Sequence, residues 1–105
     1  MVCISVLYPN VPGKKFDHDY YARHHMPLVM DTWKNFGLIR YEIDVGLAGG
    51  APGSPAPLIC VGRLYFSSLE EFQKAIASQG ADILADVPNY TDIELQIQVS
   101  QMTPS

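Results

Sequence analysis

Residues 58–76 read LICVGRLYFSSLEEFQKAI, and a change of periodicity inside this stretch decides the architecture. Leu58 to Phe66 reads as a strand that is largely apolar on both faces. Ser68-Leu69-Glu70-Glu71 then fits a capping box, and Leu69, Phe72 and Ile76 form one apolar helical stripe. The helical pattern continues past Gly80 into a second piece with Ile83, Leu84 and Val87, and ends at Pro88. Beyond it, Ile93 to Ser100 alternates strictly: Ile93, Leu95, Ile97 and Val99 against Glu94, Gln96 and Gln98. This is the period of a half-buried strand.

The preceding half has the same order. Val2 to Tyr8 reads as an apolar strand, closed by the turn formers Pro9-Asn10-Val11-Pro12-Gly13. Asp17 is placed as a helix N-cap with Asp19 in the first turn, the helical pattern runs to about Phe36, and Gly37 suits the C′ position. Leu38 to Leu47 alternates, with Ile39, Tyr41, Ile43 and Val45 on one face and Arg40, Glu42 and Asp44 on the other. Residues 48–57, AGGAPGSPAP, form the loop to the central segment. The order is βαββαβ, a ferredoxin-like α+β arrangement in one domain spanning residues 1–105. Right-handed crossovers then give a four-stranded antiparallel sheet with the first and third strands central and both helices on one face.

That arrangement leaves apolar surface uncovered. The two central strands are apolar on both sides, yet the helices cover only one, whereas a sheet that faces water should alternate cleanly. A two-fold-related copy of the same sheet is the simplest second layer, so an obligate homodimer is expected. Composition agrees: 48% of residues are hydrophobic and only 17% charged.

Net charge is −4 and the seven basic residues are scattered, so nucleic acid is not an expected partner. No run of 18 apolar residues is present, and MVCISVLY lacks both a basic n-region and a cleavage pattern, so neither a membrane span nor a leader is expected. Two cysteines, Cys3 and Cys60, read as reduced thiols of a cytoplasmic protein.

Chemistry concentrates in residues 16–28, FDHDYYARHHMPL, which hold all three histidines. On a helix Tyr21 and His25 sit roughly 40° apart, with Asp17 one turn earlier. Tyr20 and His24 form a second pair alongside. A neutral imidazole serves as base or acid near neutral pH, and a tyrosine can orient it or bind a ligand. Metal ligation fails on spacing, because His24 and His25 diverge by about 100° and His18 lies about 10 Å from His25 along the axis. His18 is expected to face solvent. Pro27 must kink the helix or begin a new segment beside His25. Asp86-Val87-Pro88-Asn89-Tyr90-Thr91-Asp92 is a turn-rich segment that places Asn89, Tyr90 or Thr91 at a pocket rim. No phosphate cradle, nucleophile elbow or C-x-x-C is present, and Cys60 reads as an inert buried thiol.

Several of these segments together resemble the EthD family: Phe16-Asp17, Tyr20-Tyr21, His25-Met26-Pro27-Leu28-Val29, Phe36-Gly37-Leu38, LYFSSLEEFQ at 64–73 and LADVPNYTDIE at 84–94. The family is named for a gene product linked to bacterial degradation of ethyl tert-butyl ether. The resemblance implies a ferredoxin-like protomer that pairs into a dimeric α+β barrel. It points to Tyr20, Tyr21, His25 and Pro27, and to Asn89, Tyr90, Thr91 and Asp92, while His24 falls at a variable position. The expected function is that of a catabolic small-molecule enzyme or accessory protein. Its organic ligand would lie in a cleft between sheet and helices, with His25 and Tyr21 as the catalytic pair and Tyr20, Asn89, Tyr90 and Thr91 binding substrate. No flavin or nicotinamide motif is present and no cofactor is expected. Relatives with this barrel suggest cofactor-independent oxidoreductase or isomerase chemistry. The alternatives are a non-catalytic dimeric binding module and a haem-binding barrel ligated through His25.

Overall fold

A computed structural model describes residues 1–103. The expected βαββαβ order is present. Strand β1 (Val2–Pro9) leads into a helical layer of α1 (His18–Tyr20), a π-helical turn (Tyr21–His25), α2 (Met26–Trp33) and a 3-10 turn (Lys34–Phe36). Strands β2 (Leu38–Val45) and β3 (Leu58–Phe66) follow, then α3 (Leu69–Asp86), a 3-10 turn (Val87–Asn89) and β4 (Gln96–Gln101). The sheet order is β2-β3-β1-β4, and every neighbouring pair is antiparallel.

The caps read from the sequence are formed. Asp17 accepts from the Tyr20 N–H at 3.0 Å, Ser68 accepts from the Glu71 N–H at 3.3 Å, and Gly37 takes φ 101° after the first helical layer. Val2, Ile4, Val6 and Tyr8 on β1 oppose Phe66, Leu64, Gly62 and Cys60 on β3, and this face packs against Met26, Val29, Trp33, Phe72 and Ala75. Each fully buried apolar side chain such as Val29 or Phe66 contributes ~1.5–3 kcal/mol. The opposite face carries Cys3, Leu7, Ile59, Val61 and Tyr65 along the centre. Polar side chains interrupt the row, with Ser5 and Arg63 paired in its middle, so the central strands are not apolar throughout on this face. Arg63 reaches Asp44 at 2.7 Å, Tyr65 donates to Glu42, and Arg40 lies 4.0 Å over the Tyr65 ring.

Three local expectations are corrected. The last strand begins at Gln96 rather than Ile93, because Ile93 is buried before the ladder with β1 starts at Gln96 opposite Leu7. On β2, Ile39 does not share the inward face of Tyr41 and Ile43. The register slips between Leu38 and Arg40, leaving Ile39 bulged out and exposed while Leu38 is buried against Phe66. His18 is half-buried, packed 4.8 Å from the Phe16 ring, rather than facing solvent.

The second helix continues past Gly80, as its pattern implied, but through a break. Gln79 has non-helical angles (φ −138°, ψ 29°), and its carbonyl accepts from the Trp33 indole N–H at 3.3 Å. The two helical layers are thereby tied together at the point where a cavity opens between them and the sheet.

Candidate functional site

Pro27 explains the local geometry around His25. It has no N–H to give the preceding turn, and its ring crowds the carbonyl one turn back. The chain resolves this by widening that turn rather than by a simple kink. The Met26 N–H bonds to the Tyr21 carbonyl, an i→i+5 closure, and α2 restarts with proline in its first turn. The widened turn directs Tyr21 and His25 inward, stacked at 5.5 Å with only 16° between their rings. Both are buried, whereas Ala22, Arg23 and His24 on the same turn are exposed.

The end of α3 meets this turn. Asp86 Oδ2 lies 2.9 Å from His25 Nδ1. Asp86 Oδ1 accepts from the Tyr20 hydroxyl at 2.7 Å and from the Asn89 side-chain amide at 2.9 Å. On the other side of the imidazole, Tyr90 Oη lies 3.4 Å from Nε2, and Tyr90 Oη is 2.7 Å from Tyr8 Oη on β1. One hydrogen-bonded line therefore runs Asp86–His25–Tyr90–Tyr8, from the end of a helix to the centre of the sheet.

Electrostatics fix the protonation states. Burial would raise the Asp86 carboxyl, but the hydrogen bonds from Asn89, His25 and Tyr20 outweigh it and hold Asp86 below its ordinary range, so it is ionised at neutral pH. Burial lowers His25 despite the opposing pull of Asp86, so the imidazole is neutral there. An ionised acceptor on Nδ1 requires the proton on that nitrogen, which leaves the Nε2 lone pair turned to Tyr90. Burial also raises Tyr8, Tyr21 and Tyr90, which stay protonated. The Cys60 thiol is pushed up to about 11 by its own burial and is no nucleophile near neutral pH.

Tyr8, Tyr21, His25 and Tyr90 close one end of the cavity between sheet and helices. Its remaining walls are apolar and include Leu64, Trp33, Phe72 and Ile83, while the half-exposed Leu84 and Ile97 also border it. It encloses about 50 Å³, in a measure where one water needs roughly 10–15 Å³. Gly62 lets Tyr21 reach the sheet: a Cβ there would run into Tyr21 Oη.

Of the residues picked from sequence, His25, Tyr21, Tyr20, Asn89 and Tyr90 are brought together. Thr91 is not among them. Its hydroxyl donates to the Lys15 carbonyl at 2.6 Å and accepts from the Ile93 N–H at 3.1 Å, which pins the loop beneath the site. Asp92 likewise holds the Lys15 N–H, at 2.8 Å. Two members went unselected. In the sequence Asp86 only opens a turn-rich segment, although it stands three residues before Asn89, within reach of one helical turn. Tyr8 was read as the end of an apolar strand, although a buried tyrosine hydroxyl needs a partner. Among the described residues no group of three or more His, Cys, Asp or Glu side chains is placed to hold a metal ion, and no helix is long and apolar enough to cross a membrane.

A four-stranded antiparallel sheet with helices on one face and a histidine–carboxylate pair beside an apolar cavity defines a ferredoxin-like α+β protein. The chain belongs to the EthD family, whose domain model matches residues 13–94. It is similar to the crystal structure of an EthD-like protein from Ralstonia eutropha JMP134, with 37% identity and a TM-score of 0.90 over 95% of this chain and 89% of that one. An EthD family protein from Bacillus halodurans C-125 is similar at 18% identity and a TM-score of 0.74, over 98% of this chain and 99% of that one. The fold extends to SnoaB, a cofactor-independent oxygenase from Streptomyces nogalater, at 9% identity and a TM-score of 0.54 over 97% and 93% of the two chains. No curated protein matches the chain.

Proposed function

We propose that this protein is a small-molecule enzyme or accessory enzyme of catabolism that binds an organic ligand between sheet and helices and moves a proton through His25. The observation that carries this reading is the neutral His25, clamped by an ionised Asp86 and bordering a cavity whose other walls are apolar. An imidazole in that state accepts a proton and returns it without any cofactor, because Asp86 stabilises the imidazolium as it forms. Tyr21 holds the ring by stacking, and Tyr20 and Asn89 hold Asp86. Cofactor-independent oxidoreductase or isomerase chemistry is consistent with this arrangement. Cytoplasmic placement, inferred from the two free cysteines, is part of the reading.

The second reading is a non-catalytic binding or accessory module. It is favoured by one observation: both imidazole nitrogens are already engaged inside the protein, as in a core histidine. The His25→Ala variant separates the two. His25 is buried, so its loss leaves a cavity and frees Asp86 Oδ2 and Tyr90, at a cost of about 2–4 kcal/mol. Asp86 keeps Tyr20 and Asn89 as partners, and the loss stays below the total stability of about 5–15 kcal/mol for a domain. On the enzymatic reading, cyclopentanol, followed by the methyl NMR shifts of Leu64 and Ile83, binds about tenfold more weakly to His25→Ala, because Tyr90 and Tyr8 lose the acceptor that orients them. An affinity equal to that of the parent protein rejects the role of His25. Haem ligation has less support, since an iron on Nε2 would have to displace Tyr90 from the core.

The site is proposed to work in a homodimer, with the open sheet faces opposed into an α+β barrel. Leu7, Ile59 and Val61 give that face an apolar patch, and Arg63, paired with Ser5 at the middle of the face and bridged to Asp44, borders it. Light scattering at micromolar concentration is expected to return twice the chain mass, and a monomeric mass rejects the pairing.

A further inference from the structure

The line Asp86–His25–Tyr90–Tyr8 has a direction, and that direction selects a class of ligand. This inference rests on the reading of the cavity as a ligand site. At the outer end, the Tyr20 hydroxyl and the Asn89 amide both donate to Asp86 Oδ1, leaving Oδ2 to face His25 Nδ1 at 2.9 Å. A carboxylate is an acceptor only, so Nδ1 carries the proton and Nε2 presents a lone pair. Tyr90 must then donate to Nε2 and can only accept from its other neighbour. Tyr8, at 2.7 Å, must in turn donate to Tyr90. The 3.4 Å step from Tyr90 to His25 is the longest in the line. The line ends on Tyr8 Oη at the cavity. The Tyr21 hydroxyl also reaches Tyr8 and borders the same end. With the Tyr8 proton given to Tyr90, Tyr21 can only donate to Tyr8, which keeps the sense of the line and leaves one Tyr8 lone pair and those of Tyr21 Oη at the cavity.

We propose that Asp86 sets the polarity of this hydrogen-bond line so that Tyr8 Oη acts as an acceptor in the cavity, and that the site selects small apolar ligands carrying a hydroxyl or N–H over isosteric carbonyl compounds. A ligand O–H completes the line. A ketone of the same shape brings a second acceptor against Tyr8, and reversing Tyr8 to meet it would break its bond to Tyr90. The discrimination is that of one buried hydrogen bond, about tenfold in affinity.

The geometry at Asp86 supplies a reversal. In Asp86→Asn, Tyr20 and Asn89 still require an acceptor at the Oδ1 position, so the new amide N–H₂ faces His25 Nδ1. The proton must then sit on Nε2, every donor in the line turns round, and Tyr8 presents its O–H to the cavity. Asp86 touches no ligand and acts as a positioning residue through His25.

The test uses the full-length chain with cyclopentanol and cyclopentanone as probes, titrated against the cavity methyl groups by NMR. Long-range ¹⁵N–¹H correlations report the His25 tautomer. The parent protein is expected to hold the proton on Nδ1 and to bind cyclopentanol about tenfold more tightly than cyclopentanone. Asp86→Asn is expected to show the Nε2–H tautomer and to favour the ketone. Tyr8→Phe, which keeps the fold should Asp86→Asn fail to, is expected to lose the alcohol preference with little change in ketone affinity. Equal affinities in the parent protein, or an alcohol preference that survives Tyr8→Phe, overturn the polarity while leaving the cavity a ligand site. Absence of any cavity shift with either probe overturns the ligand-site reading, and the polarity with it.

Discussion

Gly62→Val is expected to lower stability by about 2–3 kcal/mol, although it places a good strand former in a central strand. Valine in place of glycine on a strand is ordinarily favourable by up to about 1 kcal/mol. Here the added atoms enter occupied space. The nearest atom to a Cβ at Gly62 is Tyr21 Oη, closer than any real contact, and Met26 Cε stands 3.5 Å away. Tyr21 has no easy retreat, since its ring is stacked on His25 and lies 5.1–5.4 Å from Tyr90, Phe16 and Tyr8. Overpacking of such a site costs ~1–3 kcal/mol or more. Chemical denaturation measures the loss, and Tyr21→Phe in the same chain is expected to recover more than half of it, because the obstructing atom is the hydroxyl. A loss below about 0.5 kcal/mol, or no recovery in the double variant, would mean that Tyr21 is not held against β3 as described. The link to function is direct: the glycine sets how deeply Tyr21 sits, and Tyr21 sets the plane of His25.

The parts of this arrangement that sequence reveals are those governed by a repeating pattern. Alternation on β2 and β4 and the both-sided apolar runs of β1 and β3 place the strands. Ser68 and Asp17 mark helix starts because a cap is a local device, complete within four residues. The site is less legible because its decisive contacts join distant residues. His25 and Asp86 are 61 residues apart, and Tyr8 and Tyr90 are 82 apart. Nothing near Asp86 in the chain distinguishes a carboxylate that orients a histidine from one that ends a helix. Pro27 announced a disturbed helix, but whether the turn kinks or widens depends on what Tyr21 and His25 can pack against. Ile39 departs from the alternation because a bulge shifts the register by one residue, and alternation in sequence is blind to an unpaired residue.

Alkali should unfold this protein abruptly, with a loss of about 4 kcal/mol for each pH unit above roughly 10. Tyr8, Tyr21 and Tyr90 are each at most 1% exposed, and burial raises all three far above the ordinary phenol value. In the unfolded chain each ionises near 10, while in the folded chain each keeps its proton. From these three phenols alone the folded state binds three more protons than the unfolded state in this window, and the Tyr20 and Tyr65 hydroxyls, raised by their bonds to Asp86 and Glu42, act in the same sense. Stability that is fully present below about pH 10 is lost as pH rises, at about 1.4 kcal/mol per tyrosine per unit. Cys60, held up to about 11 by its own burial, adds to the loss from about pH 9. With a total stability of 5–15 kcal/mol for a domain of this kind, the transition falls within about one to three units of the onset. Absorbance at 295 nm and near-UV circular dichroism are expected to change together, with the buried tyrosines ionising only as the fold is lost. Tyr8→Phe should reduce the steepness by about 1.4 kcal/mol per pH unit. Gradual ionisation of all six tyrosines around pH 10, with the dichroism of the fold intact, would sink this account. It would also remove the basis for the hydrogen-bond line, because phenols that ionise freely in the folded chain are open to water and cannot hold a fixed donor direction toward His25.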